Sequence, residues 1–128
     1  PKTMVKKMVD MLEEENPGCF DLPDKTFIDL YMKSGLYVAE IVKRLYQSNE
    51  LKHLYPDKYD RLKHIFEKQV YGLAPTEIIY KIATSYILGF DEDVKITKHN
   101  FKQVDALPYA KDGTLKEKLD EIYGDSNV

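Results

Sequence analysis

The stretch with the most chemistry in it is Phe27-Ile28-Asp29-Leu30-Tyr31-Met32-Lys33-Ser34-Gly35. An apolar run ends in an acid, a short polar loop follows, and a glycine opens the next helical pattern. In doubly wound folds a ligand binds outside the carboxyl ends of the strands, at such a turn. Glycine there lets the backbone approach a ligand closely. The free N–H groups of the helix that follows suit a carboxylate or a phosphate. There is one glycine rather than three, so the dinucleotide fingerprint is absent, and a phosphate loop is absent too. By spacing alone, an ordinary strand-to-helix turn fits as well as a binding turn.

Two further segments could share an edge with this turn. In Val70-Tyr71-Gly72-Leu73-Ala74-Pro75-Thr76-Glu77, Ala74 stands where nucleoside-binding folds often carry an acid for the ribose hydroxyls. Thr76 and Glu77 follow and could serve instead. A capping threonine and a dipole-favoured glutamate explain them more simply, without a ligand. In Phe101-Lys102-Gln103-Val104-Asp105-Ala106-Leu107, Asp105 lies just past a third strand, where it could accept from an adenine amine; a solvated loop aspartate is the alternative. His53, His64 and His99 show no metal-ligand spacing, so they are expected at or near the surface, and no metal site is expected. Cys19 reads as a residue of a polar loop and is not assigned as a nucleophile. Of the ten tyrosines, Tyr31 and Tyr37 lie nearest the proposed turn, and most others are expected in or beside the core.

The elements that must position these residues follow from periodicity. Met4, Val5, Met8, Val9 and Leu12 mark an amphipathic helix over 3–12, broken at Glu13-Glu14-Glu15-Asn16-Pro17-Gly18. Thr26 to Leu30 reads as a short buried strand. Leu36 to Gln47 reads as a helix with Val38, Ile41, Val42 and Leu45 on one face. Ser48 to Pro56 reads as irregular. Asp57 then caps a helix to about Glu67. Gln69 to Leu73 is the second strand. Pro75 starts a helix that ends at Gly89. Asn100 to Gln103 is the third strand, and Thr114-Leu115-Lys116-Glu117 fits a capping box before a last helix. Strands alternating with helices imply an α/β fold with a parallel sheet and right-handed crossovers. The expectation is a partial Rossmann-like, doubly wound sheet of about three strands, forming a single domain over 1–128.

Composition narrows the function classes. The chain has 128 residues, 43% hydrophobic and 32% charged, which suits one packed domain and excludes a disordered chain. No apolar run approaches the ~20 residues of a spanning helix, so no membrane role is expected. One cysteine excludes an internal disulfide and an all-cysteine zinc site, and favours a reducing, cytoplasmic setting. With 19 basic against 22 acidic residues the net charge is −3, which argues against a dedicated nucleic-acid module. It leaves room for one part of a larger DNA enzyme whose basic groove lies elsewhere. The opening Pro1-Lys2-Thr3 and the polar ending Asp125-Ser126-Asn127-Val128 suggest a piece of a longer protein. A truncated parallel sheet exposes an edge strand, so an edge-to-edge dimer of the piece is a further expectation.

Taken in order, these segments resemble adenine-specific DNA methyltransferases, and most closely those of bacterial restriction-modification systems. TFIDLYMKSGLYVAEIVKRLY, over 26–46, is similar to their cofactor motif; QVYGLAPTEII, over 69–79, to their second strand and its helix; and QVDAL, over 103–107, to their acidic motif after the third strand. PKTMVKKMVDML, over 1–12, resembles the leading helix that closes over the methionine end of the cofactor. The resemblance implies S-adenosylmethionine as cofactor. Asp29 and Gly35 would bracket its methionine moiety, with Tyr31, Lys33 and Ser34 in the loop between. Asp105, with Ala106 beside it, would hold its adenine amine. Thr76 would stand near the ribose, and Lys2 and Thr3 near the carboxylate. The leading helix and turn over 1–23 would pack on this site. The chain departs from the family pattern at Leu30, where a proline is usual, at Lys33, where a glycine is usual, and at Ala74. The interval from Asp29 to Ala74 also exceeds the ~20 residues of a compact unit. The family's catalytic Asn-Pro-Pro-Tyr motif does not occur in this sequence, so no catalytic residue is assigned. DNA would be met through other parts of a larger enzyme. Two rivals stand beside this reading: a methyltransferase acting on RNA or protein, and a non-catalytic scaffold domain with a degenerate pocket.

Overall fold

In the computed structural model the described residues are 2–124; Pro1 of the leading segment and the polar ending 125–128 lie outside them. Helix α1 (Lys2–Glu15) turns Val5, Val9 and Leu12 toward the core, with Val9 fully buried. It runs on through the three glutamates expected to break it. Glu13 finds Arg44 at 3.6 Å, and the helix stops only where Pro17 and a left-handed Gly18 (φ 78°) forbid continuation. A short 3₁₀ turn (Cys19–Asp21) follows. It places Cys19 in the core rather than in a polar loop. Burial, with a smaller contribution from Glu13, pushes its thiol above the ordinary cysteine range.

Strand β1 (Phe27–Asp29) leads through the polar loop to α2 (Leu36–Gln47). The segment expected to be irregular contains a short helix, α3 (Asn49–Leu54). Its cause is Ser48, which accepts from the Leu51 N–H at 3.4 Å and donates to Asp21 at 2.6 Å. Asp57 caps α4 (Lys58–His64) as its type suggests. One wider helical turn (Ile65–Gln69) then delivers the chain into β2 (Val70–Ala74), which is buried throughout. Arg61 is buried, and among the described residues no carboxylate pairs with it. Its guanidinium donates to the carbonyls of Tyr46, Tyr55 and Pro56, each at 3.0 Å, and lies 4.6 Å from the Tyr46 ring centroid. Helix α5 (Glu77–Leu88) leads on to β3 (Asn100–Gln103).

Two helices close the described chain, an unexpected α6 (Leu107–Asp112) and α7 (Leu115–Tyr123). The capping box at Thr114 does not form. The Thr114 hydroxyl and N–H both donate to Asp112 instead, and Thr114 makes no side-chain bond to the first turn of α7.

The three strands form one parallel sheet in the order β1-β2-β3. The architecture is mixed α/β, three parallel strands with flanking helices, as in a partial Rossmann-like sheet. Phe27, Val70, Ala74 and Phe101 face the core built by α1 to α5. Ile28, Tyr71 and Leu73 face the other way, under α7. Both crossovers, β1 to β2 and β2 to β3, therefore cover one face, and the chain changes face only after β3. Among the described residues no helix is long and apolar enough to cross a membrane.

Candidate functional site

Parallel pairing brings the carboxyl ends of all three strands to one edge of the sheet. Asp29 is level with Gly72, and Ala74 with Gln103. Two strand spacings separate β1 from β3, about 10 Å across the sheet. The turn after β1, the start of α5 and the turn after β3 thus share this edge.

In the first turn the side chains divide by depth. Asp29 is half-buried, and its Oδ1 accepts the Tyr31 N–H at 3.0 Å. Burial pushes its carboxyl above the ordinary range, while the Tyr31 N–H and the Lys33 charge partly hold it down. A carboxylate in that condition gains from a cationic partner, because a positive group would offset the cost of burying its charge. Tyr31, Lys33 and Ser34 are exposed, so three members of the proposed set face solvent around Asp29. The Ser34 hydroxyl lies 3.4 Å from the Leu36 N–H, at the first turn of α2.

Met32 and Gly35 point the other way. The Met32 N–H donates to the Leu73 carbonyl at 2.8 Å, and its side chain is fully buried. It fills the space above Gly72, where a Cβ would meet the Met32 sulfur at 2.5 Å. Gly35 has φ 90°, a conformation that favours glycine. A Cβ there would meet the Ala83 carbonyl oxygen at 3.0 Å and Ile87 at 3.1 Å. The room at Gly35 was expected to admit a ligand. It is taken by the backbone of α5, because α5 crosses the start of α2 at this point.

Tyr37, one position into α2, links the turn to a cavity. Burial, then the charge of Asp29, pushes its hydroxyl up. The same ring lines a space of about 260 Å³ between α1, β1 and α2, together with Leu12, Asn16, Thr26, Phe27 and Ile28. Tyr37 lies near the turn, as its position along the chain implies, whereas the cavity needs residues from three separate segments. The leading helix is held by Arg44, which pairs with Asp10 at 2.7 Å and with Glu40 at 3.0 Å. Its first turn reaches the start of α2: Lys2, Val5 and Lys6 share a second cavity, of about 280 Å³, with Leu36 and Ala39.

The other two segments are less open. Thr76 caps α5, its hydroxyl accepting the Ile79 N–H at 3.2 Å. Asp105 is exposed and accepts the Leu107 N–H at 3.1 Å, which shapes the turn before α6. Ala106 is fully buried, packed with Tyr71, Leu73 and Tyr123 beneath α7. Asp29, Tyr31, Lys33, Ser34, Thr76 and Asp105 therefore share the edge with side-chain atoms at or near solvent, whereas Gly35 and Ala106 serve packing. His64 is bound to the Pro23 carbonyl at 2.8 Å and stacked on Tyr55. No cluster of histidine, cysteine and acid side chains able to hold a metal occurs among the described residues.

Compared with known proteins, the chain matches no protein-family model and no curated protein sequence.

Proposed function

We propose that this chain is the cofactor-binding part of an S-adenosylmethionine-dependent DNA adenine methyltransferase of a restriction-modification system, working in the cytoplasm. The observation that carries the reading is Asp29: a half-buried acid at the end of the first parallel strand, its proton affinity raised by burial, beside an exposed loop that enters a helix. Such a carboxylate suits a ligand with an ammonium or sulfonium group, and S-adenosylmethionine carries both. Asp105 stands about two strand spacings away on the same edge, where it can accept from an adenine amine. Tyr31 and Lys33 flank Asp29 from the solvent side and would contact the methionine end. Methyl transfer itself requires a catalytic motif that this sequence does not contain, and an adenine in duplex DNA must be flipped out to be reached. This chain therefore binds and orients, and other parts of the enzyme supply the base pocket.

The test is calorimetric titration of the chain with S-adenosylmethionine and with S-adenosylhomocysteine. The expected result is micromolar binding of both, lost on Asp29→Ala and on Asp105→Ala with the fold retained by circular dichroism. A second reading, a scaffold domain with a degenerate pocket, draws on Met32 and α5 filling the room beside Gly72 and Gly35. Absence of binding at millimolar ligand, in a folded chain, favours the scaffold.

A further inference from the structure

Two helices carry apolar side chains that the domain leaves uncovered. On α5, Ile78, Ile82 and Tyr86 recur at i, i+4 and i+8 and stay 68%, 55% and 44% exposed. They form one stripe, on the side away from the buried Ala83, Thr84 and Ile87. The helix is thus apolar on both sides, and a helix of that kind is ordinarily covered on both. Its two charged residues, Glu77 and Lys81, pair with each other at 3.0 Å. At its far end the stripe meets the second cavity, where Tyr86 stands with Phe90, Lys2, Lys6 and Lys43. Lys2 and Lys6 are exposed, and Lys43 is half-buried. Among the described residues none of the three has a carboxylate within ion-pair distance. Glu40, the acid at this cavity, is engaged by Arg44 at 3.0 Å. The surface is therefore an apolar stripe that ends in unpaired positive charge.

The complementary pattern stands on α1. Met4, Met8 and Met11 recur at i, i+4 and i+7, each half-exposed or more, beside the face that Val5, Val9 and Leu12 turn to the core. Glu15 falls at i+11, in line with the methionines. It is exposed and, among the described residues, in no ion pair. Asp10 and Glu13, by contrast, are held by Arg44.

We propose that α1 of one copy of the chain docks on α5 of a second copy. At 1.5 Å per residue the methionine stripe spans about 10 Å and the α5 stripe about 12 Å. With the two helices side by side in the same direction, Met4 meets Ile78, Met8 meets Ile82 and Met11 meets Tyr86. Glu15 then projects one turn beyond Tyr86, at the cavity with the three lysines. The reverse direction would set Glu15 beside Glu77, so charge fixes the orientation. Unbranched methionines suit the uneven surface of another helix. The contact joins two different patches and is heterologous: one copy can donate through α1 and accept through α5 at once. It does not depend on the cofactor reading.

Interfaces this small are weak, with an expected dissociation constant of about 10–100 µM. Sedimentation velocity across that range tests the proposal, and the mean mass should rise with concentration. Ile82→Asp spoils the accepting stripe and Met8→Asp the donating one, so each variant alone should stay monomeric. Mixed in equal amounts they should form a one-to-one complex, because each supplies the stripe that the other lacks. Glu15→Lys should weaken association of the otherwise unchanged chain by about 2- to 5-fold at low salt. The thermal midpoints should stay unchanged, since these side chains are exposed. Ile78→Asp and Met11→Asp take the place of either variant that loses its thermal transition. A chain that is monomeric at every concentration overturns the proposal. Association that survives in Ile82→Asp or Met8→Asp alone overturns it in favour of the open strand edge or a contact between like helices. A mixture that stays monomeric overturns it as well. Titration of the monomeric variants with S-adenosylmethionine reads the cofactor proposal separately, so either can fail alone.

Discussion

The two faces of the sheet are covered very differently. On one, α1 to α5 bury Phe27, Val70, Ala74 and Phe101 in a continuous core that also takes in Met32, Leu45, Leu51 and Phe66. On the other, a small cluster of Tyr71, Leu73, Ala106 and Tyr123 lies under α7, and Ile28 and Leu30 stay half-buried beside it. The first face has many independent contacts, so the loss of one is shared among neighbours. The second is a smaller cluster, to which Val104, Leu115, Leu119 and Ile122 add partly buried contacts and in which Tyr123 makes the polar link to the sheet. The Tyr123 hydroxyl donates to the Asn100 carbonyl at 2.7 Å, and its ring meets Tyr71 edge to face with centroids 5.1 Å apart. The difference teaches that the crowded face supplies the stability of the domain, and that the thin face is attached to it as a separable layer.

Damage to each face in turn should be felt differently by the domain. Phe66→Ala, in the crowded core, should cost about 3–5 kcal/mol, and denaturant unfolding should show the whole domain destabilised by that amount. Tyr123→Ala should act locally: amide exchange should rise throughout α7 while the amides of α2 and β2 keep their protection. Global loss of protection in that variant would make the two faces one cooperative unit. Tyr123→Phe keeps the ring and removes the hydroxyl that donates to the Asn100 and Gly72 carbonyls, at a cost of about 1 kcal/mol. Thr76→Ala removes the cap of α5 and should cost about 1 kcal/mol as well. A larger stability loss there would mean that the cap also fixes the crossing of α5 at Gly35.

The smallest effect on stability, and the most telling for function, concerns Asp29. Its carboxyl is raised in the folded state, chiefly by burial. The unfolded chain therefore releases this proton at lower pH than the folded chain does. Its stabilising contribution is present in full below the unfolded value and is lost as the pH rises through the folded one. Asp29→Asn should raise the thermal midpoint at neutral pH and flatten this part of the pH profile. The same variant should lose binding of S-adenosylmethionine. A gain in stability coupled to a loss of binding is the signature of an acid kept for a ligand, whereas a loss of stability would mark Asp29 as structural.

How far the site could be read from the sequence varies residue by residue. The strand that ends at Asp29, the exposed loop and the helix that follows were legible, because hydrophobic periodicity and a glycine mark them within about ten residues. The cap at Asp57 was legible for the same reason, whereas at Thr114 the same kind of signal failed because Asp112 competes for the hydroxyl. Ser48 had the right type for a cap, but its helix is short and has little periodicity to announce it. Gly72, inside an otherwise apolar strand, was a visible sign of a close approach, yet nothing local says that Met32 is what approaches.

Local pattern along the chain is enough for the alternation of helices and strands, the parallel α/β class and the turn that carries Asp29. These depend on neighbours along the chain, whose spacing is printed in the sequence. The tertiary structure decided what fills the room at each glycine, which acids share an edge, that Ala106 lies in the core and that one face of the sheet is thin. It also set Lys2, Lys6 and Lys43, from two helices, beside Tyr86 in one cavity. Each of these is a contact between segments tens of residues apart. Such contacts follow from how whole elements pack, since burial and close packing act on the assembled surfaces and leave no period in the local pattern.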